Sequence, residues 1–252
     1  MKIAVVTGAS SGMGREFVKQ ISMKYRTIEE IWVLSRRVSR LEQLKEEITN
    51  VNIRVIPCDV TKEEDIETYK KLLEEHKPSI RLLVNSAGFG MIGHFGDVPE
   101  KETVGMCDLN CTALTRFTYI SLPYMIDGCS NIINFASAAA FLPQPSFAVY
   151  AATKSYVLSL SIALNKELLS RGIAVTAVCP GPVETEFFDV AERYHEVKMY
   201  KKMFRAKAPK VVELALIDAY HQKPVSVYGL SMNGLRLLTN VFPPEFLVKF
   251  IG

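Results

Sequence analysis

Short apolar segments alternate with segments of helical length along almost the whole chain. Seven of them are rich in β-branched residues, at 3–6, 31–34, 53–56, 82–84, 132–135, 173–178 and 225–228. Nearly continuous apolar runs of this length are typical of strands that are buried on both faces, as in a parallel sheet. Helices must then connect successive strands through right-handed crossovers. The pattern predicts an α/β fold, a Rossmann-type doubly wound seven-stranded parallel sheet flanked by helices.

The connecting segments carry helix signals of their own. Residues 63–73 repeat apolar side chains at helical spacing. Thr61, with Glu64 three residues later, predicts a capping box at the start of this helix. Gly172 is the expected left-handed residue that ends a long helix over 149–171.

Composition narrows the class of protein further. The chain has 252 residues, 48% of them hydrophobic and 23% charged, with a net charge of +3. This profile is ordinary for one folded domain spanning 1–252 and gives no reason to expect nucleic acid as a partner. Five scattered cysteines, a short apolar start and the lack of an 18-residue apolar run predict a cytoplasmic protein. The four histidines show no metal-ligand spacing, so no metal is expected.

A glycine-rich turn follows the first predicted strand. It reads Thr7-Gly8-Ala9-Ser10-Ser11-Gly12-Met13-Gly14 and opens a helix at Arg15. Glycines allow close approach of the backbone to a pyrophosphate, and a helix N-terminus supplies free amides and a partial positive charge. The turn therefore favours a nucleotide site, although a bare strand-to-helix connection has the same composition.

The second predicted strand ends in two arginines. A site for NAD normally places Asp or Glu here to bind the ribose 2′-hydroxyl, whereas this chain has Arg36 and Arg37. Guanidinium groups pair bidentately with phosphate, which favours NADP(H). After the third strand, Asp59 and Val60 are placed to hold the adenine edge, or Asp59 only caps the next helix.

Tyr150 and Lys154 lie four residues apart on one predicted helix and therefore share a face. A free tyrosine has a pKa near 10. An ammonium about 6 Å away contributes roughly 2.8 kcal/mol at an effective dielectric near 20, which lowers that pKa by about two. We therefore expect a phenol tuned for proton exchange. Ser137, at the end of the fifth strand, could hold the reacting oxygen.

Several motifs occur together in one order. They are TGxxxGxG at 7–14, Asn85-Ser86-Ala87-Gly88, Asn110, Ser137, Tyr150-xxx-Lys154 and Pro180-Gly181-Pro182-Val183-Glu184-Thr185. The set resembles the classical short-chain dehydrogenase/reductase family, over residues 1 to about 228. The chain departs from the family at Ser86, where Asn is more common, and this small polar change should leave the turn intact.

The resemblance implies a role for each residue. Tyr150 would be the general acid in reduction and the base in oxidation, and Lys154 would lower its pKa and bind the nicotinamide ribose. Ser137 would orient the substrate oxygen, while Asn110 would hold a water in a proton relay. The residues implied or expected to bind NADP(H) are Gly8, Ser10, Ser11, Gly12, Met13, Gly14, Arg36, Arg37, Asp59, Val60, Asn85, Ser86, Ala87, Gly88, Tyr150, Lys154, Pro180, Gly181, Val183 and Thr185.

A hydrophobic pocket is expected beside these groups. Its predicted residues are Ser137, Phe89, Met91, Ala139, Phe141, Phe187 and Phe188. Residues 1–90 would then bind mainly cofactor, 186–210 would form a substrate lid, and 230–252 a hydrophobic extension packed on the body, lying in a dimer interface or touching a membrane surface. Several of the aromatic residues could instead simply pack the lid.

Three functions remain open from the sequence. The first is an NADP(H)-dependent carbonyl reductase or alcohol dehydrogenase for a hydrophobic, steroid-like substrate. The second is a reductase of 3-oxoacyl thioesters, favoured by the basic residues between 198 and 210, which otherwise are a solvated face. The third is a non-catalytic NADP-binding sensor or scaffold. By analogy with the family, we expect a homodimer or homotetramer formed through helices near 101–127 and 149–171.

Overall fold

Seven strands form one parallel sheet. The computed structural model describes residues 1–194 and 205–249. The strands are β1 (Lys2–Thr7), β2 (Glu30–Ser35), β3 (Asn52–Pro57), β4 (Ser79–Asn85), β5 (Ser130–Phe135), β6 (Ile173–Val178), β7 (Val183–Glu184), β8 (Ala206–Lys207) and β9 (Val225–Ser226). All seven predicted strands are confirmed. The last ends two residues early, because β9 is an edge strand that pairs only with Ala177 and Val178.

Helices connect the strands throughout. They are α1 (Gly12–Lys24), α2 (Val38–Glu47), α3 (Glu63–His76), α4 (Glu100–Cys107), α5 (Leu114–Ser121), α6 (Ala148–Glu167), α7 (Phe187–Ala191), α8 (Ala208–Tyr220), α9 (Leu230–Val241) and α10 (Pro244–Val248). A π-helical turn over Asp108–Ala113 joins α4 to α5, and a 3₁₀ turn over Ala138–Phe141 follows β5.

The sheet is covered on both faces. In β1, Ala4 and Val6 belong to a core cluster that includes side chains of α1, α2 and α8. Ile3 and Val5 belong to another, which includes side chains of α3 and α5. Successive strand residues therefore enter opposite layers, which explains why the strand sequences are apolar throughout. The doubly wound fold is confirmed.

Two predicted helix ends had different outcomes. The capping box at Thr61 is wrong, because α3 begins at Glu63 and the Thr61 hydroxyl donates instead to the Asp59 carboxylate at 2.7 Å. At the end of α6, a 3₁₀ turn leads into Gly172, whose φ of 63° is the left-handed conformation expected there.

The strand order reverses direction between β1 and β4. These two strands are neighbours, although β2 and β3 extend the sheet on one side and β5, β6 and β9 extend it on the other. In sheets of this kind the ligand crevice lies outside the carboxyl ends of the strands, at such a switch point. The pair β7 and β8 forms a small second sheet after β6.

The C-terminal extension is only partly packed. Met232 on α9 packs against a core cluster that includes Phe141, but Leu230, Leu237 and Val241 are exposed. Met232 thus contacts the body, while the role expected for the extension stays a prediction. In the stretches 1–194 and 205–249, every helix is too short or too polar to cross a membrane.

Candidate active site

The predicted site residues lie at one edge of the sheet. The glycine-rich turn follows β1, the arginines follow β2, Asp59 and Val60 follow β3, Asn85 to Gly88 end and follow β4, Ser137 follows β5 and Pro180 to Thr185 follow β6. Because all seven strands are parallel, these carboxyl ends meet at one crevice. The topology thus brings these motifs at the strand ends to the same edge.

The glycine-rich turn is packed too closely for side chains. A Cβ on Gly14 would lie 2.3 Å from the carbonyl oxygen of Gly8, and a Cβ on Gly8 would lie 2.8 Å from the amide nitrogen of Ala87. Gly8 and Gly12 also have positive φ, at 69° and 52°. The turn keeps side chains away from Gly12 and Gly14 at the start of α1, which fits a dinucleotide pyrophosphate.

The turn after β4 is held against this glycine-rich turn. The Thr7 hydroxyl accepts hydrogen bonds from the backbone N–H groups of Ser86 and Ala87, both at 3.2 Å. The Asn85 side-chain amide donates to Asn134 at 2.8 Å and to Thr118 at 3.0 Å. Ser86 therefore leaves the turn intact, as predicted for this departure from the family motif.

Three arginines, which we call the arginine rim (Arg36, Arg37 and Arg40), surround the end of β2. Arg37 donates from Nε to the Ser10 hydroxyl at 3.1 Å and from Nη2 to the Ser11 hydroxyl. Arg36 is 74% exposed and lies 3.9 Å from Asp59. The structure thus fixes Arg37 beside the glycine-rich turn and leaves Arg36 in solvent.

Asp59 and Val60 occupy the turn before α3. The Asp59 carboxylate accepts from the backbone N–H of Thr61 at 3.1 Å as well as from its hydroxyl, and Val60 is buried. Asp59 therefore orders its own turn, and the alternative that it caps the next helix is wrong, because the N-cap of α3 is Lys62. A contact of either residue with the adenine stays a prediction.

The side chains of Ser137, Tyr150 and Lys154 form what we call the buried centre. Tyr150 and Lys154 lie on α6, where both are more than 90% buried, and the Lys154 ammonium lies 5.6 Å from the centroid of the Tyr150 ring. Lys154 donates from Nζ to the carbonyl oxygen of Phe135, the last residue of β5, at 2.7 Å. The predicted side-by-side placement on one helix face is confirmed.

The expected lowering of the Tyr150 pKa is wrong for this structure. Burial raises the pKa of Tyr150 to about 12, although a hydrogen bond with the Ser137 side chain lowers it in part. Burial likewise lowers the pKa of Lys154 to about 8. The prediction from sequence included the attraction between the two groups but not the removal of each from water, which penalises both charged forms.

Ser137 holds the start of the 3₁₀ turn after β5. Its Oγ accepts the backbone N–H of Ala139 at 3.1 Å, and the N–H of Ala138 donates to the carbonyl of Pro180 at 2.8 Å. These bonds tie the ends of β5 and β6 together, which fixes the Ser137 hydroxyl beside the Tyr150 phenol.

Asn110 is buried in the π-helical turn. Its amide donates to the Phe89 carbonyl at 2.9 Å and to the Thr153 hydroxyl at 3.0 Å, and its oxygen accepts the Phe89 N–H at 3.1 Å. A Cβ on Gly88 would lie 2.9 Å from that oxygen and 3.4 Å from Lys154 Nζ. Asn110 therefore fixes the loop after β4 beside Lys154, while its water relay stays a prediction.

Apolar side chains surround the Tyr150 ring. Phe89, Met91, Ala139 and Phe187 share one cluster with it, as the sequence predicted. Phe141 and Phe188 do not join that cluster.

Both of these residues have other partners. Phe141 packs with the cluster that includes Met232 of α9. Phe188 lies edge-on to Phe187 and under the guanidinium of Arg205, at 4.1 Å from its ring. These contacts do not support their assignment to the substrate wall. The two residues pack against segments that are distant in sequence, and local sequence does not reveal such contacts.

The predicted lid is only partly described. Residues 195–204, which include Lys198, Lys201 and Lys202 of the basic cluster, lie outside the described residues. Arg205 pairs with Glu192 at 3.3 Å. The role predicted for this cluster therefore stays a prediction.

The loop after β6 approaches α9. A Cβ on Gly181 would lie 2.8 Å from the Met232 sulfur, and Val183 is buried in β7. A Cβ on Gly12 would lie 3.4 Å from the Thr185 side chain. The Thr185 side chain therefore lies next to the glycine-rich turn, and this position is the one expected of a residue that contacts the cofactor.

Three contributors were missed by the sequence analysis. The Phe147 ring stacks on Tyr150 with centroids 4.2 Å apart, and its place directly before α6, three residues ahead of Tyr150, is a signal that could have shown it. Arg40 and Glu186 form an ion pair of 2.5 Å across 146 residues, for which local sequence carries no signal.

Comparisons with known proteins identify the family of this chain. A family model described as short chain dehydrogenase matches residues 2–195. The chain belongs to the short-chain dehydrogenase/reductase family of oxidoreductases.

Individual relatives cover most of the chain. An uncharacterized oxidoreductase of Staphylococcus epidermidis is 34% identical over 196 residues, which are 76% of this chain and 84% of that protein. A short-chain dehydrogenase of Sphingobium yanoikuyae, solved in complex with NADPH, has a TM-score of 0.80 at 26% identity and covers 96% and 95% of the two chains. A bulky-bulky ketone specific alcohol dehydrogenase of Comamonas testosteroni has a TM-score of 0.75 at 27% identity, with 96% and 93% covered.

Proposed function

We propose that this protein is an NADP(H)-dependent oxidoreductase that interconverts a ketone and a secondary alcohol on a hydrophobic substrate. The observation that carries the proposal is the buried centre: a phenol beside a serine hydroxyl and a lysine ammonium, at the edge of the sheet where the glycine-rich turn lies. A pure nucleotide-binding module has no use for such a phenol.

Each group of the buried centre has one task. The Ser137 hydroxyl orients the substrate oxygen, and Tyr150 donates a proton to that oxygen in reduction. Lys154, fixed by its bond to the Phe135 carbonyl, supplies positive charge beside the phenol. A bound nicotinamide dinucleotide would supply the hydride for reduction or accept it in oxidation.

The protonation states favour reduction at neutral pH. Because burial raises the pKa of Tyr150 to about 12, the phenol holds its proton and is ready to donate it. The Lys154 ammonium, whose pKa burial lowers to about 8, is still charged at pH 7. Oxidation of an alcohol needs the phenolate, so we expect it to accelerate with rising pH.

The arginine rim supports NADP(H) rather than NAD(H). Arg37 is already held beside Ser10 and Ser11, where a guanidinium can pair with a 2′-phosphate. The structurally similar dehydrogenase of S. yanoikuyae was solved with NADPH. We assign the phosphate contact to Arg37 first, and then to its neighbours Arg36 and Arg40 in the arginine rim.

The surroundings of Tyr150 support a bulky apolar substrate. Phe89, Met91, Phe147 and Phe187 contribute apolar surface around its ring, as is typical of pockets for hydrophobic ligands. The similar enzyme of C. testosteroni is specific for bulky-bulky ketones. Steroid-like and aromatic ketones are therefore the first substrates to test.

We also propose a cytoplasmic homo-oligomer. The helices over residues 101–127 and 149–171 expose large apolar side chains, 42–79% accessible, namely Val104, Tyr119, Tyr156, Ile162 and Leu169. All five cysteines are free thiols, in keeping with a reducing compartment. Light scattering after size exclusion should give a dimer or tetramer of the 28.2 kDa chain, whereas a monomer at micromolar concentration would reject this assembly.

The test of function is NADPH consumption with a panel of steroid ketones, small aromatic ketones and 3-oxoacyl thioesters, with Tyr150→Phe as the blank. We expect turnover of a bulky ketone that the variant loses. Turnover of thioesters alone would replace the proposed substrate class. Tight NADPH binding without turnover of any class would favour a sensor or scaffold.

A further inference from the structure

The carboxylate of Glu186 lies between two guanidinium groups of the arginine rim. Its Oε2 accepts from Arg37 Nη1 at 2.8 Å, and its Oε1 accepts from Arg40 Nη1 at 2.5 Å. Hydrogen bonds from both arginines hold the pKa of Glu186 below its usual range. The side chain is therefore an anion that bridges two cations at neutral pH.

A 2′-phosphate would need the same donors. Arg37 uses three of its five N–H donors on Ser10, Ser11 and Glu186, so a phosphate that approaches the Nη1 side of this guanidinium meets the Glu186 carboxylate. A carboxylate and a phosphate at one pair of guanidinium groups also repel each other. The two anions therefore compete for Arg37 and Arg40.

Glu186 belongs to a segment that reaches the buried centre. Thr185, the preceding residue, crosses the glycine-rich turn at Gly12. Phe187, the following residue, begins α7, and its ring centroid lies 5.5 Å from that of Tyr150. A change at Glu186 thus acts on a wall of the active site as well as on the arginine rim.

We propose that Glu186 is a specificity-determining residue: its carboxylate occupies the place of the 2′-phosphate between Arg37 and Arg40, and phosphate binding displaces it and releases the segment that carries Phe187. The inference rests on the proposed NADP(H) specificity. In this proposal the Glu186 carboxylate competes with the 2′-phosphate, so it weakens the binding of NADPH and does not change the binding of NADH.

The test compares Glu186→Gln with wild type by calorimetric titration of adenosine 2′,5′-bisphosphate and of AMP. These two probes differ by the 2′-phosphate and undergo no hydride transfer. We expect the variant to bind the bisphosphate about five- to tenfold more tightly, because one nearby negative charge is removed from a site facing solvent. AMP affinity should change less than twofold, and 0.5 M KCl should shrink the gain.

Asp189→Asn is the matched control. Asp189 is an exposed carboxylate on α7, three residues further along the same segment. Its loss should leave both affinities within twofold of wild type. Equal increases in bisphosphate affinity in the two variants would mean that only the total negative charge of the segment matters. The specific role of Glu186 would then be rejected.

The remaining outcomes separate this inference from the function on which it rests. A wild-type protein that does not discriminate between the two probes would overturn both the NADP(H) assignment and the inference. Clear discrimination with unchanged or weaker bisphosphate binding in Glu186→Gln would overturn the inference alone, since Glu186 would then only order the arginines.

Hydrogen exchange tests the release of the segment. The bisphosphate should speed amide exchange over residues 187–191 in wild type, whereas AMP should not. In Glu186→Gln this exchange should be fast without ligand. Unchanged exchange on adding the bisphosphate would reject the coupling between the arginine rim and Phe187.

Discussion

The buried centre and the arginine rim lie at the same edge of the sheet but differ in their exposure to solvent. Tyr150 and Lys154 are more than 90% buried, and Lys154 is bonded to a strand carbonyl. Arg37 and Arg40 are 44% and 42% exposed, and both pair with Glu186. Proton transfer needs groups that are fixed and dry, whereas the choice between two nucleotides needs charges that can exchange partners.

The difference also sets how each region responds to solvent. Charges in the buried centre are screened little by salt, but desolvation displaces their pKa values. Charges in the arginine rim are screened strongly, and their pairs contribute modestly. We therefore expect large, salt-insensitive effects from changes in the centre and smaller, salt-sensitive effects from changes in the rim.

The largest effect should come from Tyr150→Phe. Loss of the proton donor should lower kcat for ketone reduction roughly 1,000-fold, while the Kd for NADPH changes less than threefold. Stopped-flow rates and nucleotide fluorescence measure the two quantities. Tyr220→Phe, which removes an exposed hydroxyl on α8, is the control, and a Tyr150 variant that keeps more than a tenth of the rate would reject the assigned acid.

Asn110→Ala should act on stability rather than on charge. It removes three hydrogen bonds of a buried side chain and leaves the Phe89 N–H and carbonyl without their partner. The free energy of unfolding in urea should fall by about 3 kcal/mol. Asn240→Ala, on an exposed position of α9, should change it by less than about 0.5 kcal/mol. Similar losses in both variants would show that Asn110 does not hold the loop.

Comparison of wild type with Lys154→Met at different pH values should show how much the buried ammonium lowers the free energy of unfolding. The folded pKa of Lys154 is lowered from 10.5 to about 8, so below pH 8 the folded state carries the full penalty. As pH rises from 8 to 10.5, the folded state releases its proton before the unfolded state does, and wild type gains stability. The unfolding free energy of wild type relative to the variant should therefore rise by about 2 kcal/mol between pH 7 and 10.

Urea titrations at the two pH values measure this change. Lys45→Met, at an exposed position of α2, should show no such dependence. A flat difference between wild type and Lys154→Met would mean that the ammonium is not desolvated in the folded protein.

The smallest effect should come from the arginine rim itself. Arg37→Ala should raise the Kd for NADPH about tenfold and Arg36→Ala only about threefold, because Arg37 is fixed by Ser10 and Ser11 whereas Arg36 is 74% exposed. The Kd for NADH should stay within twofold in both variants. Titrations at 0.05 and 0.5 M KCl measure these values. Equal losses for both nucleotides would mean that neither arginine contacts the 2′-phosphate.

The sequence by itself determined the frame of the molecule. Apolar periodicity predicted the seven strands, because burial on both faces is written locally in each segment. Parallel pairing then placed the motifs at the strand ends along one edge, and the helical repeat put Tyr150 and Lys154 on one face of α6. These inferences use spacings of a few residues, which chain geometry converts directly into structure.

Tertiary structure decided the environment of those residues. The pKa of Tyr150 depends on burial by side chains from distant segments. The shift predicted from sequence therefore had the wrong direction. Phe141 packs against the same core cluster as Met232 and not against the cluster around Tyr150. Glu186 binds Arg37, which is 149 residues away in sequence. Desolvation and long-range ion pairs depend on which surfaces meet after folding, so local spacing carries no record of them.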